Sequence, residues 1–521
     1  MINPGLIYLG SSLILYFLKE EWRKNFALIT AVVTGITIFF LPQGQSFELS
    51  FLDFELILLE VTEVNQFIAS VFVFFSLAST IYGIGLLNRK DYSLTYFYIG
   101  SSLAIIFVGD FFSFYISWEL MTISSYFLIF NNSKAVTRET SYYYFMMHLV
   151  GAISLLWGIM LHYTATGSMV LTKVEIGLPF FILAVGIKLA FIGLHTWLPK
   201  NYAQTPFYIS VILSAYTTKV GVYAFYKLLS GQQYLAYGGI ITAIVGVLLA
   251  LRQTKVRKLL SYHIISQIGY MIVGLGVGTS LGQIGALMHL TNNILYKGLL
   301  FMIIGAVIYA AGEEDLINLG GLAKKLPYTA FYGTIAALSI AGMPFFNGHI
   351  SKLLLKKGVD DPILTWGMYI AAVGTSLSFL KVMYFAFFKS PEQEVEIKEQ
   401  PSKGMLIGMG LLAAACFVIG LRPNLFLEVL GGVKKEVHYF SLHYLWVGLQ
   451  PTLWALILLK VAYQWIKPHH HKEHNLDLYS YLGQGIDYIS DKLSKWHNGD
   501  LQRYLLWILT ALVLLWGQAF I

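Results

Sequence analysis

Cysteine is almost missing from this chain: Cys416 stands alone among 521 residues. A single thiol excludes an internal disulfide and any iron–sulfur cluster ligated by the chain's own cysteines. Charge is scarce too, at 12% Asp, Glu, Lys and Arg, where soluble domains carry about 25%. No secretory cleavage pattern is present, and residues 5–18 read as a first span that stays. The net charge of +7 is no nucleic-acid signal, because the basic residues sit in short loops between apolar runs. What fills the chain is apolar: 57% of residues are hydrophobic and the mean hydropathy is +0.65. This is the composition of a membrane protein.

Runs long enough to span a bilayer recur at 5–18, 26–41, 66–87, 94–109, 111–130, 141–163, 177–197 and 206–229, then at 235–251, 259–279, 283–309, 330–355, 363–388, 405–421, 442–466 and 503–520. The expected fold class is an all-α, polytopic membrane protein of about fourteen core transmembrane helices plus one or two C-terminal helices. Loops on one side (19–25, 88–92, 131–140, 198–205, 252–258, 311–329, 389–404 and 467–502) hold 21 Lys and Arg, against 6 in the opposite loops and the N-terminus. By the positive-inside rule both termini face outward, across the cytoplasmic (inner) membrane of a prokaryote.

Along the chain, residues 1–93 give an N-terminal three-helix segment with an acidic loop, 42–65, expected to be a solvated outer face. Residues 94–229 and 235–388 form two five-helix blocks, and 389–521 hold an inner linker, a core helix and a tail. Each block carries a pair of intramembrane lysines: Lys188 and Lys219 lie 31 residues apart, Lys352 and Lys381 lie 29 apart. Breakers accompany both pairs, Pro199 and Pro206 in the first block, Gly342, Pro344 and Gly348 in the second. Because five spans is an odd number, the second block is inverted relative to the first, a plan that places broken helices and ion sites at mid-membrane. In the tail, the His-rich tract HHHKEH (469–474) is expected to be a solvated juxtamembrane run rather than a metal site, and an amphipathic piece around Ile486, Ile489, Leu493 and Trp496 precedes the last span.

The charges inside the spans carry the chemistry. Eight basic residues fall there, of which Lys227, Lys460 and Arg503 lie near helix ends and can snorkel. Lys188, Lys219, Lys297, Lys352 and Lys381 remain. Each mid-helix charge costs roughly 2.5–3.5 kcal/mol, so five cost about 12–17 kcal/mol, comparable with the roughly 5–15 kcal/mol stability of a whole fold. They are tolerable only when paired, hydrated or mostly neutral. Only Glu119 is a carboxylate well inside a span, about 13 Å deeper than Asp110 at 1.5 Å per residue, and one carboxylate cannot neutralise five lysines. His148, His195, His263 and His289, with hydroxyls at Ser214, Thr217, Thr218 and Ser261, lie among them as groups able to bridge protons. A lone core histidine is usually a satisfied structural residue; four beside buried lysines describe a hydrated polar axis.

The residues WE (118–119), GIK…HTWLP…P (186–206), TTKVGVYAFYK (217–227), RKLLSYHIISQIGYM (257–271), GALMHLTNNILYKGLLF (285–301) and GMPFFNGHISK (342–352) resemble the proton-conducting antiporter-like subunits shared by respiratory complex I, Mrp-type Na⁺/H⁺ antiporters and membrane-bound hydrogenases. The resemblance runs over about 94–388. It implies two inverted five-helix bundles with broken helices, each a half-channel, joined by a charged axis. It further implies Glu119 and Lys188 as the coupling pair, Lys219 as the bridging lysine, Lys297 with His289 at the centre of the second bundle, and Lys352 as the terminal lysine. Lys381 has no motif position of equal firmness and rests on the repeat alone. The family's usual serine in LLxYSS is His263 here, and the histidine often found downstream is Gln267.

The expected function is translocation of H⁺, or exchange of Na⁺ for H⁺, as one membrane subunit of a hetero-oligomeric energy-converting complex, most like an Mrp D-type or membrane-bound hydrogenase subunit. The alternatives are a complex I pumping subunit, a membrane module for inorganic-carbon uptake and, from a different class, an integral-membrane transferase, which needs catalytic groups at an interface, whereas here the outer loops are short and the unusual charges lie mid-membrane. No cofactor or metal and no redox centre is expected in the chain itself, although its complex could be an oxidoreductase.

Overall fold

The computed structural model describes residues 2–44, 46–51, 54–131, 138–391, 394–430, 438–469, 487–492 and 494. The chain divides into two units, 1–470 and 471–521. In the second, residues 487–492 and 494 are helical and Ile489 is exposed. Most of the His-rich tract, the rest of the amphipathic piece and the span expected at 503–520 lie outside the described residues.

Unit 1 contains twenty-one α-helices and one β-hairpin among its described residues. The chain opens with α1 (Gly5–Phe17) and α2 (Glu20–Phe39), then strands β1 (Ser46–Phe51) and β2 (Phe54–Glu60), then α3 (Glu63–Tyr82). Next come α4 (Arg89–Phe107), α5 (Phe111–Asn131), α6 (Arg138–Thr166), α7 (Leu178–Leu189), α8 (Trp197–Tyr202), α9 (Phe207–Leu213) and α10 (Thr217–Leu229). They are followed by α11 (Gln233–Leu251), α12 (Val256–Val277), α13 (Ser280–Ala311), α14 (Leu322–Lys325), α15 (Pro327–Ala341) and α16 (Asn347–Gly358). The last are α17 (Pro362–Met383) with a π-helical turn (Tyr384–Phe388), α18 (Lys403–Leu421), α19 (Asn424–Leu427), α20 (Leu442–Val461) and α21 (Tyr463–Ile466).

Local chemistry sets the helix ends. Asn88 and Asp91 form a reciprocal capping box at the start of α4. Asp361 accepts from the N–H groups of Ile363 and Leu364, and Pro362 fills the first position of α17, where no N–H is needed. Between α11 and α12 the backbones approach closely at Gly239 and Gly269, where an added Cβ on Gly269 would sit 2.5 Å from Ala243 N. Small residues at helix crossings are how membrane helices gain packing contact when lipid offers no hydrophobic contrast.

One expectation needs correction. The acidic segment 42–65 is not a simple solvated loop: β1 and β2 pair antiparallel, with Ser46 opposite Glu60 and Phe51 opposite Phe54, so the chain is mostly rather than purely helical. The Asp110 carboxylate accepts from Ile57 N–H at 2.8 Å and Ser113 N–H at 2.7 Å, tying the hairpin to the start of α5. Glu60 pairs with Lys227 at 3.1 Å, so this lysine has an ionic partner as well as its position near a helix end.

Among the described residues, eight helices are long and apolar enough to cross a membrane unaided: α3, α6, α11, α12, α13, α17 with its π turn, α18 and α20. The sequence count of sixteen is larger partly because three expected spans are split in the structure, while α1 has only 13 residues, the helices α2, α4 and α5 are not among the eight, and 503–520 lies outside the described residues. The run 177–197 ends as α7 at Ala190, which adopts φ 56°. The run 206–229 parts between α9 and α10, and the run 330–355 parts between α15 and α16, with φ 84° at Gly342 and 72° at Phe345. Helices α12 and α13 are buried nearly throughout; α20 buries only Gly448, Pro451 and Ala455.

Candidate functional site

Lys188 occupies the last turn of α7. Its ammonium donates to Thr122 Oγ1 at 2.7 Å and lies 4.5 Å above the Trp118 ring. Trp118, Glu119 and Thr122 share α5, so one helical turn supplies a π face, a carboxylate and a hydroxyl. Glu119 is the charged neighbour of Lys188, yet the two make no ion pair within 4.0 Å among the described residues, and Glu119 Oε1 is buried without a hydrogen-bond partner. They are near each other but apart. His148 faces the same space: Nδ1 bonds the Tyr144 carbonyl at 2.9 Å, Nε2 has no partner, and Lys188 is its charged neighbour. His195 lies in the connection after α7, where Gly193 N–H donates to its Nδ1 at 3.3 Å and its ring is 6.2 Å from that of Tyr262.

Lys219 follows the next break. Its Nζ donates to the Ser214 carbonyl at 2.6 Å, just past α9, and lies 3.4 Å from Thr218 Oγ1. Lys297, on α13, donates to the Leu260 carbonyl at 3.0 Å and lies 5.5 Å from the Phe379 ring centre. Lys219 is the nearby charge acting on Lys297, which links the two blocks. His263 has both ring nitrogens buried and unpartnered, packs 4.8 Å from Phe379, and has Lys297 and Lys352 as its charged neighbours. His289 bonds Ser351 Oγ at 2.9 Å and Gln267 Oε1 at 3.1 Å, joining α12, α13 and α16.

Lys352 reaches back across the second break, donating to the carbonyls of Ile340 at 2.7 Å and Ala341 at 3.2 Å. Lys381 donates to the carbonyls of Leu251 at 2.8 Å and Gln253 at 3.0 Å, at the end of α11. Lys219, Lys352 and Lys381 therefore all take acceptors at a helix C-terminus, where carbonyls lack intrahelical donors and the peptide dipoles gather negative charge. These cations are solvated by backbone, not by carboxylates.

Several participants escape a reading of letters alone. Thr122 could have been found from its spacing to Glu119, and Ser351 from its place one residue before Lys352. Buried and unpartnered are also Ser339 Oγ, Asn292 Oδ1, Asn293 Oδ1, both polar atoms of the Asn347 side chain and His349 Nε2. Groups buried in this way are ordinarily satisfied by internal water. Among the described residues, no cluster of three or more His, Cys, Asp or Glu is placed to hold a metal ion.

A family profile described as "NADH:quinone oxidoreductase/Mrp antiporter, TM" matches residues 108–378, just over half of the chain. The chain belongs to the NADH:quinone oxidoreductase/Mrp antiporter family. The matched residues contain every lysine of the site except Lys381. An antiporter-family chain of Staphylococcus aureus, named as antiporter subunit mnhD2, is 28% identical over 483 residues, covering 82% of this chain and 94% of that one. Two solved structures share the antiporter-family fold. One is the membrane-bound sulfane sulfur reductase, an archaeal respiratory membrane complex, with TM-score 0.81, 24% identity and 99% of both chains covered. The other is the Mrp complex from Dietzia sp. DQ12-45-1b, with TM-score 0.87 and 21% identity, covering 99% of this chain and 62% of that one. This member of the antiporter family is a multi-pass membrane protein of the antiporter-like subunit type.

Proposed function

We propose that this chain is a proton-translocating subunit of a multi-subunit energy-converting membrane complex, of Mrp D or membrane-bound hydrogenase type, moving H⁺ alone or in exchange for Na⁺. The observation that carries the reading is the row of buried lysines whose ammonium groups rest on neutral oxygens. A lysine on a carbonyl or hydroxyl can release its proton without leaving a bare carboxylate behind. Glu119, close to Lys188 but not bonded to it, is positioned to bias that release electrostatically. In this reading the proton passes from Lys188 to Lys219, Lys297 and Lys352, with His148, His195, His263 and His289 as auxiliary relays and Lys381 as a further station at the end of α11. Blocks 94–229 and 235–388 act as the two inverted half-channels of a body of about fourteen core helices, with both termini outside. The two splits, after Lys188 and before Lys352, support that pairing.

The likeness to a respiratory complex over 99% of both chains also supports a redox-driven assembly, in which the partner subunits supply the electron chemistry. The driving force is on the right scale, since moving one charge through 100 mV is worth about 2.3 kcal/mol. The test is reconstitution of the purified complex in vesicles with a pH-sensitive dye. Glu119→Ala and Lys188→Ala are expected to abolish H⁺ movement while the complex still assembles; unchanged transport would overturn the assignment. Replacing Na⁺ with choline in the same vesicles separates exchange from simple H⁺ transfer.

A further inference from the structure

A cavity of about 770 Å³ lies between α12, the end of α15, α16, α17 and α20. Its size falls within the roughly 300–1,000 Å³ of ligand pockets, and like them it is mostly apolar with a few polar groups. Three tryptophans line it and are also exposed at the surface of the helix bundle: Trp366 (66%), Trp446 (53%) and Trp454 (53%). The cavity therefore opens on the face that meets lipid, and indole rings favour the boundary between chains and headgroups.

The charged groups are of one sign. Lys352 and Lys356 stand one helical turn apart on α16, Lys356 exposed and Lys352 half-buried with its ammonium on the end of α15. Among the described residues, no carboxylate lines the cavity. The nearest in sequence are Asp360, which makes no ion pair with Lys356 within 4.0 Å among the described residues, and Asp361, which already accepts from Ile363 N–H, Leu364 N–H and Tyr237 OH, the last at 2.6 Å. Opposite the lysines, Pro451 within α20 has no N–H to give the Val447 carbonyl one turn earlier. Gly448 allows α20 against His349: a Cβ there would sit 2.5 Å from the imidazole Nδ1. An apolar slot open at the bundle surface, with one cation that has no ionic partner among the described residues near its mouth and a second deeper in, matches an acyl chain carrying a phosphate.

We propose that this cavity binds one anionic phospholipid, an acyl chain between α17 and α20 and the phosphate on Lys356, sealing Lys352 from the surrounding lipid. The binding does not depend on the transport reading, so it is measured separately from ion movement. The full-length protein is purified and offered phosphatidylglycerol or phosphatidylcholine, and retained lipid is counted by native mass spectrometry. The expected result is one retained phosphatidylglycerol in preference to phosphatidylcholine, with Lys356→Ala weakening retention about fivefold, the effect of one lysine near an anionic surface. Phosphatidylglycerol brominated on its chain should quench tryptophan emission, and Trp446→Phe should remove part of that quenching. Equal retention of both lipids, or retention indifferent to Lys356→Ala, overturns the proposal. So does protection of Trp446 from every brominated lipid in the assembled complex, since a protein segment would then fill the slot.

Discussion

Lys188 illustrates what one side chain needs in order to be charged inside a membrane protein. Its ammonium has a hydroxyl at 2.7 Å and an indole face at 4.5 Å, and no carboxylate within ion-pair distance among the described residues. A hydrogen bond to a charged group contributes about 1.5–3 kcal/mol, so Thr122→Val should destabilise the protein by about that amount. In a Lys188→Met background the same change should cost far less, since the donor is gone. Denaturation of the four variants in detergent reads the coupling; additive losses would mean that Thr122 serves packing alone. The sequence was explicit about the lysines, because a cation in an apolar run is conspicuous, and silent about their acceptors. Ser214, Leu260, Ile340 and Leu251 contribute through carbonyls, and every residue has one. His263 and Gln267 show the same limit: read as departures from a family pattern, they turn out to occupy the space around Lys297 and to bond His289, respectively.

Secondary structure was legible wherever the pattern was long and its punctuation strong. Pro344 and Gly342 announced the split of α15 from α16, and Pro199 and Pro206 the disorderly passage after α7. The backbone at Gly342 has φ 84°, and a Cβ there would meet Lys352 Cδ at 2.9 Å. Gly342→Ala should therefore cost about 1–2 kcal/mol from the left-handed conformation alone, and more from the contact, lowering the melting temperature and displacing Lys352. At the end of α7 the opposite change is informative: Ala190 bears φ 56°, so Ala190→Gly should preserve or raise stability. The hairpin is masked in the sequence by the acidic residues of 46–60, although Phe47, Leu49 and Phe51 alternate with the period of a strand. Asp110→Ala should remove two backbone anchors and cost about 1–3 kcal/mol, with faster amide exchange at Ile57 as the diagnostic.

Over the whole molecule, polar contacts join segments distant in sequence at the loops. Arg257 meets Glu314 through two bonds, Nε–Oε2 at 2.6 Å and Nη2–Oε1 at 3.1 Å, and Lys325 meets Glu394 at 2.7 Å. Beside them, burial alone would raise the Glu313 carboxyl. The N–H groups of Asp315 and Glu314 and the Asn318 amide outweigh that and hold it below the usual 4.5. A carboxylate lowered by folding stabilises the fold above its ordinary value and loses that contribution as pH falls through the lowered one. Protection of the Glu314 and Asp315 amides, taken relative to their intrinsic exchange rates at each pH, should thus be high near neutrality and fall as pH drops through the lowered value; Glu313→Gln should show low protection throughout. The family frame and the lysine row could be read from one chain, whereas the loop contacts could not, because nothing in sequence spacing says which loops meet.

The seating of Lys219, Lys352 and Lys381 on main-chain oxygen has a consequence for how these contacts can be dissected. Side-chain replacement deletes donors and leaves the receiving half intact, so a conventional scan would chart only one side of each contact. Amide-to-ester exchange, which weakens a chosen carbonyl as an acceptor, would reach the other side.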